Sequence, residues 1–158
     1  MVSLVNYWIL TFSEYTDFAL GSAEELFDRL KQDGKWLIGP HTQNRKCLQK
    51  DDLVIFYQAG EGGRRFVGNA VLDSGFQPPE GEDLFGFTRV SKIDLWSQPV
   101  PISAVGKKLS FVKNRNPSQF YFQMGVRRIS ARDYDIITTA EKRFRFGNES
   151  AKMKDKGV

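Results

Sequence analysis

Residues 53–72 read LVIFYQAGEGGRRFVGNAVL, and the parsing of this stretch decides the fold. Residues 53–57 (LVIFY) are apolar enough for a buried strand. Gly60, Gly62 and Gly63 then supply a turn that carries Arg64 and Arg65, and residues 66–72 (FVGNAVL) form the partner strand. Gly68 inside that partner predicts a bulge or a close backbone approach. The centre of the chain is therefore a β-hairpin, entered through a turn at residues 49–52 (QKDD).

Toward the N-terminus, residues 6–12 (NYWILTF) predict a first strand. Ser22-Ala-Glu-Glu25 is a capping box that opens a helix over 22–33. Leu26, Phe27 and Leu30 give that helix its apolar stripe, and Gly34 is placed to end it as the C′ residue. Residues 35–38 (KWLI) predict a short strand that stops at Gly39-Pro40, and residues 41–47 are polar without a period. Toward the C-terminus, residues 77–83 (QPPEGED) are an acidic Pro/Gly loop, and residues 87–96 alternate as a strand. Gln98 to Pro101 is a short extended piece bracketed by prolines, residues 109–112 a strand or turn, and residues 126–129 a last strand. Ser130-Ala-Arg-Asp133 is a second N-cap signal for a helix over 131–140. Residues 1–147 thus read as one domain, and 148–158 as a charged tail expected to be disordered. The order β, α, several strands, α predicts an α+β fold: a curved, mostly antiparallel sheet or barrel flanked by helices.

Composition limits the chemistry. The 158 residues are 41 % hydrophobic and 13 % aromatic, enough for a core with aromatic surface to spare. No apolar run reaches the length of a membrane span, and the opening MVSLVNYWILTF lacks the basic stretch and cleavage site of a signal peptide. An intracellular, cytoplasmic and reducing compartment is expected. Cys47 is the only cysteine and His41 the only histidine, which excludes a Cys/His zinc site; no metal or cofactor is expected. The net charge is +4, and the basic residues are clustered: Arg45-Lys46, Arg64-Arg65, Lys107-Lys108 with Lys113 and Arg115, and Arg127-Arg128. Such patches suit phosphate contacts. Catalytic signatures are missing. There is no phosphate-binding G-x-x-x-x-G-K-[ST] loop and no G-x-S-x-G elbow, and Asp51-Asp52 has no histidine partner and reads as a turn. Trp8, in the first strand, reads as a core residue. Trp36, at a strand end beside irregular chain, is well placed to wall a pocket, and a base stacked on an aromatic gains about 1–3 kcal/mol.

An ordered series of segments resembles the EVE domains of the PUA-like group and, more distantly, the YTH domains. It comprises Tyr7-Trp8-Ile9-Leu10, Trp36 followed by Asn44-Arg45-Lys46, residues 53–57, Phe66-Val-Gly68-Asn-Ala70, residues 90–101 (VSKIDLWSQPVP) and residues 124–133 (MGVRRISARD). The resemblance implies a barrel-like sheet with a pocket at one end that takes a modified base flipped out of a DNA or RNA strand. By position it implies Trp36 as a pocket wall with Leu37 beside it. Thr11 and Ser13 would address the base edge, and Phe76 or Phe85 would form a second aromatic wall in a loop that here carries no tryptophan. Asn44, Arg45, Lys46, Lys107, Lys108, Lys113 and Arg115 are the expected nucleic-acid contacts. It implies a nucleic acid as partner, no membrane, and a nuclease or restriction module as a possible fusion partner. The competing expectations are a small RNA-modifying or hydrolytic enzyme, for which Lys92 and Asp94 are the imaginable groups, and a protein-interaction domain.

Overall fold

The computed structural model describes residues 4–12, 23–60, 64–112 and 125–156. Ser13, Ser22, Lys113 and Arg115 lie outside them, as do Gly62, Gly63 and Met124. In chain order the elements are β1 (Tyr7–Phe12), α1 (Ala23–Asp33), β2 (Lys35–Ile38), a 3-10 turn (Arg45–Cys47), β3 (Leu53–Gln58), β4 (Arg65–Leu72), β5 (Gly86–Pro101), α2 (Ile102–Val105), a second 3-10 turn (Gly106–Lys108), β6 (Val126–Ile129) and α3 (Ala131–Lys156).

The central hairpin forms as its sequence implies. β3 pairs antiparallel with β4 from Leu53↔Val71 to Gln58↔Arg65, with a register shift between Phe56 and Tyr57. β4 continues antiparallel into β5, where the register shifts between Phe66 and Gly68. Gly68 is the reason the two backbones can come so close: a Cβ there would lie 2.5 Å from the Asp94 carbonyl oxygen. One pairing is parallel, β1 on β3, and β6 pairs antiparallel with the other edge of β1. The six strands run β2-β5-β4-β3-β1-β6. This is the expected α+β architecture, a mostly antiparallel sheet that curls.

The curl is visible in the packing. Trp36 of β2 and Phe12 of β1 stand four strands apart in the sheet order, yet their rings meet at 6.0 Å between centroids. The inward face encloses a first core of Trp8, Leu10, Phe12, Trp36, Ile38, Val54, Phe56 and Val126, covered by Leu26, Phe27 and Leu30 of α1. α1 ends as the sequence implies: Gly34 adopts φ +67 and its N–H donates to the Leu30 carbonyl at 2.7 Å. The outward face carries a second core of Ile9, Ile55, Tyr57, Phe66, Trp96 and Val100, closed by α2 and by Ile137 of α3. Strand alternation divides β1 between the two: Trp8, Leu10 and Phe12 point in, while Tyr7 and Ile9 point out.

Two buried carboxylates pin the ends of this frame. Asp52 is 2 % exposed; its carboxylate accepts from the Trp8 indole Nε1 at 2.8 Å and from the N–H groups of Asn6 and Gln49 at 3.1 and 3.0 Å. The turn expected at 49–52 is thus also the latch that holds the start of β1. At the other helix, Ser130 Oγ caps α3 by accepting from the Asp133 N–H at 3.0 Å. The Asp133 carboxylate does not return to the cap; it accepts from the Ser110 N–H and hydroxyl at 2.9 and 2.6 Å, tying α3 to the turn after α2.

Three boundaries differ from expectation. β5 runs through the piece expected as separate at 98–101, because past Arg89 it is paired with β4 alone, so prolines leave no second ladder unmade. α2 and the 3-10 turns were not expected; each is a single short turn with no apolar period to read. α3 does not stop near residue 140: it continues through Lys156, past Asn148, through a run of Glu, Ala, Lys and Met that are good helix formers.

Candidate nucleic-acid interface

The loop between β2 and β3 closes the open side of the half-barrel. Gly39 and Pro40 stop β2, and the Thr42 N–H donates to the Gly39 carbonyl at 3.2 Å. Asn44 turns the chain in the left-handed region, φ 66, which asparagine tolerates better than most residues. Its Nδ2 then donates to the Val126 carbonyl at 3.3 Å, reaching the first residue of β6. One residue earlier, a Cβ on Gly125 would stand 3.4 Å from Thr42 Cγ2. The loop therefore joins the two edge strands, β2 and β6.

The same loop carries the charge. Between Gly39 and Lys50 there is no acidic residue, whereas Arg45, Lys46 and Lys50 are basic and His41 is exposed. Arg45 is held in place: its Nη1 donates to the Thr42 carbonyl at 2.9 Å, and its guanidinium lies 5.6 Å from the centre of the Phe76 ring. Phe76 in turn lies against β5 where only glycine fits, since a Cβ on Gly86 would come within 2.5 Å of the Phe76 ring and of the Gln77 carbonyl. Phe85 presents its ring edge 4.0 Å from where a Cβ on Gly39 would sit. Asn44, Arg45, Phe76 and Phe85 are thus brought to one place, with Lys46 exposed beside them.

Thr11 reaches this region through the backbone. Its N–H donates to the Gly125 carbonyl at 3.0 Å, next to the Thr42 contact. Its hydroxyl oxygen is buried and has no hydrogen-bond partner among the described residues, an uncommon state for a buried polar atom. By strand alternation the Thr11 side chain is on the side of Ile9 and its register partner Tyr57, not on the side of Phe12. Tyr57 is sealed there, and burial pushes its phenol well above the ordinary tyrosine range, opposed only in part by Arg64.

Trp36 is where the structure and the sequence expectation part. The strand alternates so that Trp36 and Ile38 point inward and Leu37 outward. The indole is 2 % exposed, tilted on Phe56 at 4.9 Å and edge-on to Phe12, so it is a core ring beneath the loop rather than an open wall. It does not meet the Thr11 side chain, which leaves β1 on the other face. Leu37, half-buried, pairs in register with Phe87 on the outward side. Lys107 and Lys108 sit in the 3-10 turn after α2, on the side of the second core, so they do not share the surface of Arg45 and Lys46.

The sequence reading missed a cationic pair on β2 and β5. Lys35 and Arg89 are register partners, and both approach the Phe87 ring, at 4.8 and 5.4 Å from its centre. Only the β2–β5 register reveals this, since 54 positions separate the two cations in the chain. Among the described residues no group of three or more His, Cys, Asp and Glu could hold a metal ion. No described helix is long and apolar enough to cross a membrane.

No protein-family model matches the chain, and no curated protein matches it in sequence. Solved structures do match in fold. Protein Atu2648 from Agrobacterium tumefaciens aligns with a TM-score of 0.64 at 17 % identity, over 87 % of this chain and 93 % of its own. Human THYN1, solved with DNA containing 5-methylcytosine, aligns at 0.62 and 12 % identity, over 86 % and 97 %. The YTH domain of Zygosaccharomyces rouxii MRB1, solved with N6-methyladenosine RNA, aligns at 0.53 and 15 % identity, over 87 % of each chain. The fold is PUA-like. In this PUA-like chain the half-barrel, its parallel β1–β3 pair and the loop that closes β2 onto β6 are the features that position the candidate interface.

Proposed function

We propose that this PUA-like domain is a nucleic-acid-binding module that recognises a modified base flipped out of its strand. The observation that carries the reading is the basic, acid-free stretch 39–50 of the β2–β3 loop, clamped to β6 by Asn44 and underlain by Phe76 through Arg45. Arg45 and Lys46 would attract phosphate irrespective of sequence. Phe76 and Phe85 would give a flat ligand an apolar surface, and the exposed Asn44 amide beside them would give its edge an acceptor. Flipping costs a few kcal/mol of unstacking, which stacking and edge hydrogen bonds must offset, so a site with both elements is what the task requires. Trp36 would act from below, as the rigid floor that holds Phe12 and Phe56 in place. Two proteins of this fold, THYN1 and the MRB1 YTH domain, were solved with DNA or RNA carrying a methylated base, which supports the same class of ligand here.

The enzyme alternative draws no support from its candidate groups, since Lys92 and Asp94 are both exposed on β5. The test is fluorescence anisotropy with short DNA and RNA oligonucleotides that differ in one base: cytosine or 5-methylcytosine, adenine or N6-methyladenine. Preference for one modified strand, lost when Phe76 is replaced by Ala in a protein that still folds, is the expected result. Equal affinity for every member of the set, or no binding at low salt, would overturn the proposal.

A further inference from the structure

A second surface lies away from that loop, on the outward side of the sheet. α3 turns Asp133, Ile137 and Glu141 inward, at 1, 0 and 6 % exposure. This leaves Ile136, Ala140 and Phe144, spaced i, i+4, i+8, as a second apolar stripe on the helix, in which Ile136 and Ala140 are half-buried against the second core and Phe144 is exposed. The stripe does not close against α2. It forms one wall of an open groove of about 440 Å³, whose other wall is Ala104 and Val105 of α2. Phe144 remains 43 % exposed, a large apolar ring with nothing over it among the described residues. The rim is charged unevenly: Lys108 and Arg143 line it against the single carboxylate of Asp135, and Lys107 and Lys142 stand exposed beside them in the chain.

We infer that this groove is a docking site for an acidic peptide segment with an apolar anchor, supplied by a partner protein. The two halves of the groove select the occupant together. The cations call for negative charge, and the Ile136-Ala140-Phe144 floor calls for aliphatic or aromatic side chains that a phosphodiester backbone does not offer. The volume accommodates a few side chains, in the range of ordinary ligand clefts. The trough is open to solvent rather than enclosed, which suits a segment of chain lying across it. Lys107 and Lys108, read from sequence as phosphate contacts, are here the charged rim of a protein site. The inference is independent of the base-recognition reading, because its residues pack with the second core and the loop residues with the first.

The experiment is an NMR titration of the whole chain with three defined probes. The first is a twelve-residue peptide of glutamates with leucines at i, i+4 and i+8. The second is the same peptide with the leucines changed to serine, and the third is an unmodified oligothymidine. The leucine-bearing peptide is expected to shift the amides of Ala104, Thr139 and Ala140. The serine peptide should bind at least about tenfold more weakly, a difference of about 1.4 kcal/mol. The double substitution Lys108→Glu with Arg143→Glu, on exposed side chains that leave the fold intact, should weaken the leucine peptide by a similar factor, and Asp135→Lys should strengthen it. Equal binding of the serine and leucine peptides would mean a merely cationic patch and would overturn the proposal. So would oligothymidine shifting these amides while the leucine peptide does not, which would return the surface to nucleic acid.

Discussion

Replacing Thr11 by Val separates stability from recognition. The two side chains have the same shape, so the exchange removes the hydroxyl and little else. That hydroxyl oxygen is buried without a partner among the described residues. A buried unsatisfied polar group costs about 1–3 kcal/mol. Because the residue as a whole is only half-buried, the lower end applies, and Thr11→Val should stabilise the domain by roughly 1 kcal/mol. For a domain of this size that is a rise of about 2–4 °C in Tm. The hydroxyl is on the second-core side of β1, whereas Phe76 and the loop pack with the first core, so the same substitution should leave oligonucleotide binding unchanged to within about 0.5 kcal/mol. Discrimination between modified and unmodified oligonucleotides should therefore change by no more than about twofold. The assay pairs a thermal melt with anisotropy titrations on both strands, and Thr11→Ser serves as the control that keeps the hydroxyl. A Thr11→Val protein that melts lower would refute the reasoning at its first step, since the oxygen would have to be satisfied in solution. One that melts higher but loses discrimination would refute the second step, since it would put the hydroxyl at the base.

Three further outcomes are expected. Asp52→Ala leaves the Trp8 indole N–H and two backbone N–H groups without their acceptor, so urea denaturation should show a loss of about 3 kcal/mol or more; oligonucleotide affinity per folded molecule should not change, because Asp52 is buried beside Asn6 at the start of β1, whereas the basic part of the loop reaches Val126, beside Leu10 near the other end. Arg45→Ala with Lys46→Ala should weaken binding to all sequences alike and reduce the slope of log K against log salt by about 1.5, two phosphate contacts' worth; an unchanged slope places the phosphates elsewhere. Burial favours the neutral Tyr57 phenol, raising its folded pKa above the unfolded value, so its contribution to stability is complete below about pH 10 and declines as the pH rises beyond that. Stability curves of Tyr57→Phe should lack Tyr57's share of that alkaline decline, and an identical decline in both proteins would contradict the burial argument.

Local chemistry made much of the fold legible. Residues 53–72 could form little but a hairpin, Gly34 and Ser130 marked helix ends by groups that find their partners at 2.7 and 3.0 Å, and Gly68 marked a close backbone approach. What the sequence hid depends on contacts between distant segments. The curl that puts Trp36 against Phe12 is a property of six strands together, and it turned a candidate pocket wall into a core ring. Phe76 was legible as an aromatic in a loop, but its place under Arg45 depends on the space that Gly86 leaves. The basic clusters were legible as clusters; that 45–46 and 107–108 belong to different sides of the sheet was not, because charge along a chain carries no information about which face a turn ends on.

That division of charge bears on how the two proposed surfaces behave together. A sheet whose faces carry separate cores offers two platforms that share only the strands between them. β1 contributes Trp8, Leu10 and Phe12 to one core and Ile9 to the other, so its backbone is common to both while its side chains are not. Substitutions at the β2–β3 loop and at the α2–α3 groove touch no common side chain, and distant sites without shared partners act additively to within about 0.5 kcal/mol. A protein carrying Arg45→Ala with Lys108→Glu should therefore show the oligonucleotide defect of the first and the peptide defect of the second, each at its single-mutant size. A combined defect larger than either would require the strands themselves to shift, and Thr11, whose hydroxyl is buried on the second-core side while its N–H holds Gly125 beside the loop, is the residue through which such a shift would pass.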